Sequence, residues 1–294
     1  MTGAQLLAFA GGHEEAVPGK IDGFRKFVLL WSAVRSWLWL RYGAEMEGLL
    51  LLPCAVGLTV AAVLAWWPRQ AHRAVRLALA FLLWELLAVF PFADNHFALE
   101  VLTVCVLAVV GRGGEGETEA LRGLLWVTAI VLFYTGLQKV SYGLYFRGEF
   151  LAFMVGRGDR FGDVFAWILP AGEVARLAAI DPMRSGAGPF LVDSIPFVAA
   201  SNLVWIAEMV LAPLLLWRPT RRWATWLALV LILWIELGAR EIGFALLFGN
   251  LLLLFLARDH VRRLVPVCAA LLLWALLASL GVLPGGDWIE AGYL

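Results

Sequence analysis

The chain has 294 residues, of which 62% are hydrophobic and only 16% charged. Lys and Arg balance Asp and Glu at 23 each, so no net field recruits nucleic acid. With 15 tryptophans and a mean hydropathy of +0.82, the composition excludes a soluble domain and predicts an all-α, polytopic integral membrane helical bundle.

The first predicted block is residues 1–45. It is polar through Gly23, without the basic flank and short apolar core of a cleavable leader, so the first spanning helix is expected to act as the insertion signal. Residues 27–40 are apolar but carry Arg35 at their middle, which fits either a ninth span or an amphipathic surface helix. Eight further apolar runs follow at 46–66, 75–93, 97–111, 121–142, 196–217, 223–239, 241–257 and 264–282. A full crossing takes about 20 residues, so the shortest of these predict local thinning or helices that end inside the protein. Helices are expected because lipid-exposed backbone must satisfy its own hydrogen bonds, and no alternating barrel pattern is present.

Loop charges orient the runs. Arg69, Arg73 and Arg76, then Arg218, Arg221 and Arg222, then Arg258, Arg262 and Arg263 fall on alternate connections. The positive-inside rule places them in the cytoplasm and the C-terminus outside, the arrangement expected in a bacterial cytoplasmic (inner) membrane. The long stretch 143–195 then lies outside. It reads as a lid or binding element, or as an interfacial helix lying on the bilayer. Cys54, Cys105 and Cys268 are far apart in apolar runs and read as core packing.

Within this topology the intramembrane polar residues become informative. An ammonium at mid-bilayer costs about 3 kcal/mol on insertion scales, so Lys139 marks a site or a partner. His96 and Lys139 lie near the outer ends of the third and fourth runs, and Glu236 near the outer end of the sixth. Glu100 shares the face of His96 by i, i+4 spacing, and Glu85 and Glu208 lie deeper. A purely structural role competes: such Lys and Glu residues also pair to join helices, and Lys139 can snorkel to water. Motifs for metal, nucleotide or hydrolytic chemistry are missing from the sequence, and no metal is predicted.

Three stretches carry a family resemblance: Ala93-Asp94-Asn95-His96-Phe97; Phe133-Tyr134-Thr135-Gly136-Leu137-Gln138-Lys139-Val140; and Glu208 to Arg222, followed by the helix of Glu236. They resemble the HTTM family, the membrane part of vitamin K-dependent gamma-glutamyl carboxylase and its bacterial relatives, over most of 46–258. The resemblance implies Lys139 as the base that deprotonates reduced vitamin K and His96 as support for the oxygenation chemistry. It also implies a pocket with Asn95, Tyr134, Glu100, Glu208 and Glu236 against the substrate, a reduced isoprenoid quinone. Burial favours the neutral amine such a base needs, whereas a nearby Glu100 or Glu236 would favour the ammonium. Departures accompany the likeness. Glu236 stands where the family is expected to have a histidine, the Trp and Gly that follow the lysine are here Tyr145 and Gly148 at a spacing about one residue longer, and the carboxylase's large lumenal domain does not follow the last helix. Carboxylation of a propeptide-bearing substrate is therefore not expected. A membrane pocket for a quinol or similar lipid-soluble molecule is expected, with a secreted peptide or redox protein as partner. Two rival readings remain open: a DoxX-like, non-catalytic subunit serving a redox partner, and a proton-coupled transporter.

Overall fold

A computed structural model describes residues 20–42, 45–90, 95–110, 114–157, 159–181, 190–239, 241–279 and 281–284. The polar segment before Lys20, Asp94, Arg240, residues 182–186 and the C-terminal Asp287 and Glu290 lie outside these residues, as does the side chain of Asn95.

The described residues are all-helical, with no strand among them. In chain order the helices are α1 (Lys20–Tyr42), α2 (Glu45–Leu64), α3 (Ala71–Val89), α4 (Asn95–Val109), α5 (Gly114–Tyr142), α6 (Glu149–Arg157), α7 (Asp159–Phe165), α8 (Glu173–Ala178), α9 (Ile195–Leu216), α10 (Arg218–Ala239), α11 (Ile242–Leu253) and α12 (Arg258–Ser279). All eight expected apolar runs are helical over most of their length. Among the described residues two helical stretches, Glu115–Tyr142 and Ile195–Leu216, are long and apolar enough to cross a membrane. Others are short: α4 has 15 residues, as many as its run, and α11 only 12 of the 17 its run predicts. At 1.5 Å per residue, α11 reaches about 18 Å, well under the roughly 30 Å hydrocarbon core. It stops where Lys20 Nζ donates to the Leu254 and Leu256 carbonyls at 3.2 and 2.6 Å, satisfying groups that one more helical turn would have used.

The chain divides into two compact units. The first comprises residues 1–128 and 242–294, the second 129–241. In the first, α1 packs on α2, α2 on α3 and α3 on α4, with α11 against α1 and α12 against α11. Helix α1 is not a surface helix that turns its charge to water, because Arg35 is buried. In the second unit α9 packs on α10, and α10 on α7.

Stretch 143–195 has a core of its own. Leu151, Ala152 and Val155 of α6, Leu177 of α8 and Phe197 of α9 are buried together with Phe165 and Leu169. A Cβ on Gly156 would sit 2.7 Å from the Leu177 carbonyl oxygen, so glycine is what lets α6 lie against α8. Ser194 starts α9, its hydroxyl accepting from the Phe197 amide and donating to the Ile168 carbonyl at 2.8 Å. At the far end, Arg221 donates to the Leu215 and Leu216 carbonyls at 2.9 and 3.2 Å. One of the basic residues used to orient the chain is thus a buried helix cap, 4% exposed.

Helices α2 and α10 each carry a row of exposed large apolar side chains opposite their buried face. On α10, Trp223, Leu227, Val230 and Leu233 form an exposed stripe, while Arg221, Ala224, Thr225, Ala228 and Glu236 are buried. On α2, Leu52, Val56, Val60 and Val63 are exposed and Cys54, Ala55, Ala61 and Ala62 buried.

Candidate functional site

The second unit brings together two of the expected residues. Lys139 Nζ on α5 donates to both carboxylate oxygens of Glu208 on α9, at 2.8 and 2.9 Å. Gly136 explains how. A Cβ there would stand 2.6 Å from Met209 Cγ, 3.0 Å from the Trp205 carbonyl oxygen and 3.2 Å from Glu208 Cβ. Only a residue without a Cβ lets α5 approach α9 this closely, and Lys139 follows one turn later on the same face. The Gly-x-x-Lys word is therefore one device: the glycine closes the helix pair and the lysine uses the closeness.

Around the pair, α9 presents a polar face that the sequence reading passed over. Ser201 Oγ donates to the Tyr145 carbonyl at 2.8 Å, Asn202 Nδ2 to the Phe146 carbonyl at 3.0 Å, and Trp205 Nε1 to Asn202 Oδ1 at 3.0 Å. These bonds fasten the turn that follows α5. They also hold the Tyr145 ring 5.6 Å from Lys139 Nζ, within cation–π range. Burial, and then the Glu208 and Glu241 carboxylates, push the Tyr145 phenol above its ordinary value, so it stays a protonated hydroxyl. The available signal was the spacing Ser201, Asn202, Trp205, Glu208, a one-sided polar stripe on an otherwise apolar helix.

Exposure separates this pair from the other ion pairs of the helices. The Lys139 side chain is 19% exposed and Glu208 5%, so the amine can be reached while the acid cannot.

The remaining expected residues are placed otherwise. Glu236 is also in the second unit, buried on α10, and its Oε1 has no hydrogen-bond partner among the described residues. Tyr134 is exposed; five residues before Lys139, it points to a different side of α5 from Thr135 and Gly136. His96 and Glu100 belong to the first unit. The His96 ring stacks on Phe244, with centroids 4.5 Å apart. Glu100 is bonded to Arg35 rather than to Lys139, through Nε at 2.7 Å. Arg35 also grips Glu85 at 2.7 Å, making a buried three-residue cluster that the sequence reading, with α1 unassigned, did not anticipate.

Among the described residues no group of His, Cys, Asp and Glu could hold a metal ion. Comparison with known protein families, with curated proteins and with solved structures finds no match to this chain.

Proposed function

We propose that this chain is an integral membrane protein of the HTTM type, crossing a bacterial cytoplasmic membrane with about eight helices. Its working site is the Lys139–Glu208 pair, which acts on a reduced isoprenoid quinone or similar lipid-soluble substrate reached from the outer leaflet. The observation that carries the proposal is the pair itself: a reachable amine on a sealed carboxylate, joining the two helices long and apolar enough to span. The outward-facing apolar stripes of α2 and α10 support the membrane assignment, since water would not favour rows of exposed Trp, Leu and Val.

The chemistry follows from the charges. In the resting pair Nζ donates to both Glu208 oxygens. A ligand that settles over Lys139 and excludes water makes separated charges costlier. The proton then moves from Nζ to a Glu208 oxygen, leaving a neutral amine and a neutral acid. The amine takes the proton of the substrate hydroxyl, and the resulting ammonium faces the substrate oxygen it has deprotonated. The site remains neutral throughout, which is what a poorly hydrated pocket requires. Lys139 is thus the base, and Glu208 the store that frees it. Tyr145 flanks the amine with its ring. His96, Asn95, Glu100, Tyr134 and Glu236 are retained as members of the wider substrate site implied by the family resemblance.

The test is quinol binding and quinol-dependent turnover by purified protein in nanodiscs. Lys139→Ala is expected to abolish turnover and weaken binding by tenfold or more, a loss of about 1.4 kcal/mol. Glu208→Gln, which keeps the shape but cannot store the proton, is expected to abolish turnover with a smaller effect on binding. Full turnover in either variant removes the base assignment.

A further inference from the structure

The stretch between α5 and α9 carries an apolar tip that its own core leaves uncovered. At the turn after α7, Phe165 and Leu169 are buried in the cluster shared with α6, α8 and α9, and Trp167 between them is turned outward, 74% exposed. Ala166, Pro170 and Ala171 are exposed beside it. The Ser194 hydroxyl donates to the Ile168 carbonyl at 2.8 Å, which sets the start of α9 next to this turn. Ile195, the first residue of α9, is 85% exposed. From Phe165 to Gly172 the sequence has no charged residue. The acids that flank the tip are Asp163 and Asp193, both exposed, and Glu173, which is held by Arg176.

The tip continues a surface of α9. Ile195, Ala199, Leu203, Ile206 and Val210 are exposed, and their spacing of three and four residues puts them on one side of the helix. Ser201 and Glu208 lie on the opposite side, toward α5 and the turn that follows it. Helices α5 and α9 run antiparallel: Gly136 meets Trp205 and Glu208, while the Tyr145 and Phe146 carbonyls meet Ser201 and Asn202. The last residue of α5, Tyr142, therefore lies near the level at which α9 begins, and it too is exposed. The 22 residues of α9 reach about 33 Å, against a hydrocarbon core of about 30 Å. Ile195, and Trp167 beside it, thus fall where acyl chains give way to headgroups. An indole is favoured there, because its ring is apolar and its N–H polar.

We infer that Trp167, with Ala166, Pro170 and Ile195, is a lipid anchor that dips into the headgroup–acyl boundary of the leaflet where α9 begins. The inference rests on the reading of α9 as a membrane span. Lipid suits this tip better than a protein does. One indole, one Ile and a few small residues fall short of the roughly 800 Å² that a stable protein partner buries on each side. The tip is also uncharged and runs without a break into the exposed apolar side of α9, the side that a bilayer would cover. Stretch 143–195 is then fixed at two places, to α9 through Phe197 and to the bilayer through Trp167, and does not swing as a free lid.

Tryptophan fluorescence of the whole chain in vesicles of brominated phosphatidylcholine tests this, since bromine quenches an indole it touches and its place on the acyl chain reports depth. Trp167→Phe removes one emitter, and Leu203→Trp adds one about 12 Å further along α9. Both positions are exposed, so neither change disturbs the packing. The emission lost in Trp167→Phe is expected to be quenched more by shallow bromines than by deep ones, and to be out of reach of iodide in the water. The emission gained in Leu203→Trp is expected to be quenched more by deep bromines. Trp167 emission that iodide quenches and bromine does not overturns the inference. So does emission that neither quencher reaches, the mark of a protein partner or a second copy over the tip. If Leu203→Trp is still quenched by lipid in either case, α9 remains a span and only the anchor falls. If iodide reaches both positions, the membrane reading falls with it.

Discussion

Lys139 and Glu208 differ in how much each depends on the other. Glu208 is buried and has its charge balanced by one amine, whereas Lys139 can turn partly to water. Removing the amine should therefore harm the fold more than neutralising the acid. Lys139→Ala leaves a buried acid without its cation and is expected to cost about 1–3 kcal/mol, below the 3–5 typical of fully buried pairs. Glu208→Gln leaves an amide that still accepts from Nζ and should cost less than half as much. Thermal unfolding in one detergent, followed by tryptophan fluorescence, checks the order; a more damaging Glu208→Gln contradicts it. At this scale the sequence was informative about Lys139, because a lone cation in an apolar run stands out. It was uninformative about its partner. The sequence pointed to Glu100 or Glu236 and set Glu208 deeper, and only the approach of α5 to α9 selects Glu208.

Helix α5 meets α9 through Gly136, and this contact makes the sharpest prediction for an element. Alanine in a helix normally gains about 1 kcal/mol over glycine. Here the added methyl must displace the Trp205 carbonyl and the Glu208 Cβ, which belong to backbone or stiff positions, and overpacking of that kind costs about 1–3 kcal/mol. Gly136→Ala should therefore destabilise on balance, and a disulfide or spin-label pair placed across α5 and α9 should report their separation. Unchanged spacing with unchanged stability would show that the glycine is incidental. The element pattern was largely legible beforehand: every predicted apolar run became a helix, since run length and absence of breakers decide that. The ends were not. Helix α11 stops early because Lys20, more than 200 residues away in sequence, caps it, and long-range capping leaves no local signature. The 143–195 stretch likewise hid a small apolar core, because its Phe and Leu residues are too scattered to form one periodic stripe.

For the molecule as a whole, the rows of exposed Trp, Leu and Val on α2 and α10 argue for lipid contact. Placing a lysine at Leu227 or Val230 should cost about 2.5–3.5 kcal/mol of insertion, whereas the same change in water would be nearly free. Glycosylation-mapped insertion of a fragment carrying α9 and α10 measures this, and indifference to the lysine would argue against a bilayer around α10. Orientation is checked with a reporter fused after the last helix, expected to be active only on the outer side. That the chain is built of helices was plain from the sequence. The grouping of polar residues was not, for a reason rooted in pairing. The reading gathered His96, Glu100, Lys139 and Glu236 by depth, but burial assigns each charge to its nearest opposite. Arg35 took Glu100 in the first unit and Lys139 took Glu208 in the second. The most direct measurement is a double-mutant cycle on quinol affinity, with Lys139→Ala, Glu208→Ala and the two combined. If the pair works as one device, each single change weakens binding at least tenfold and the second adds little to the first. Independent, additive effects, or unaltered affinity in all three proteins, would contradict the account.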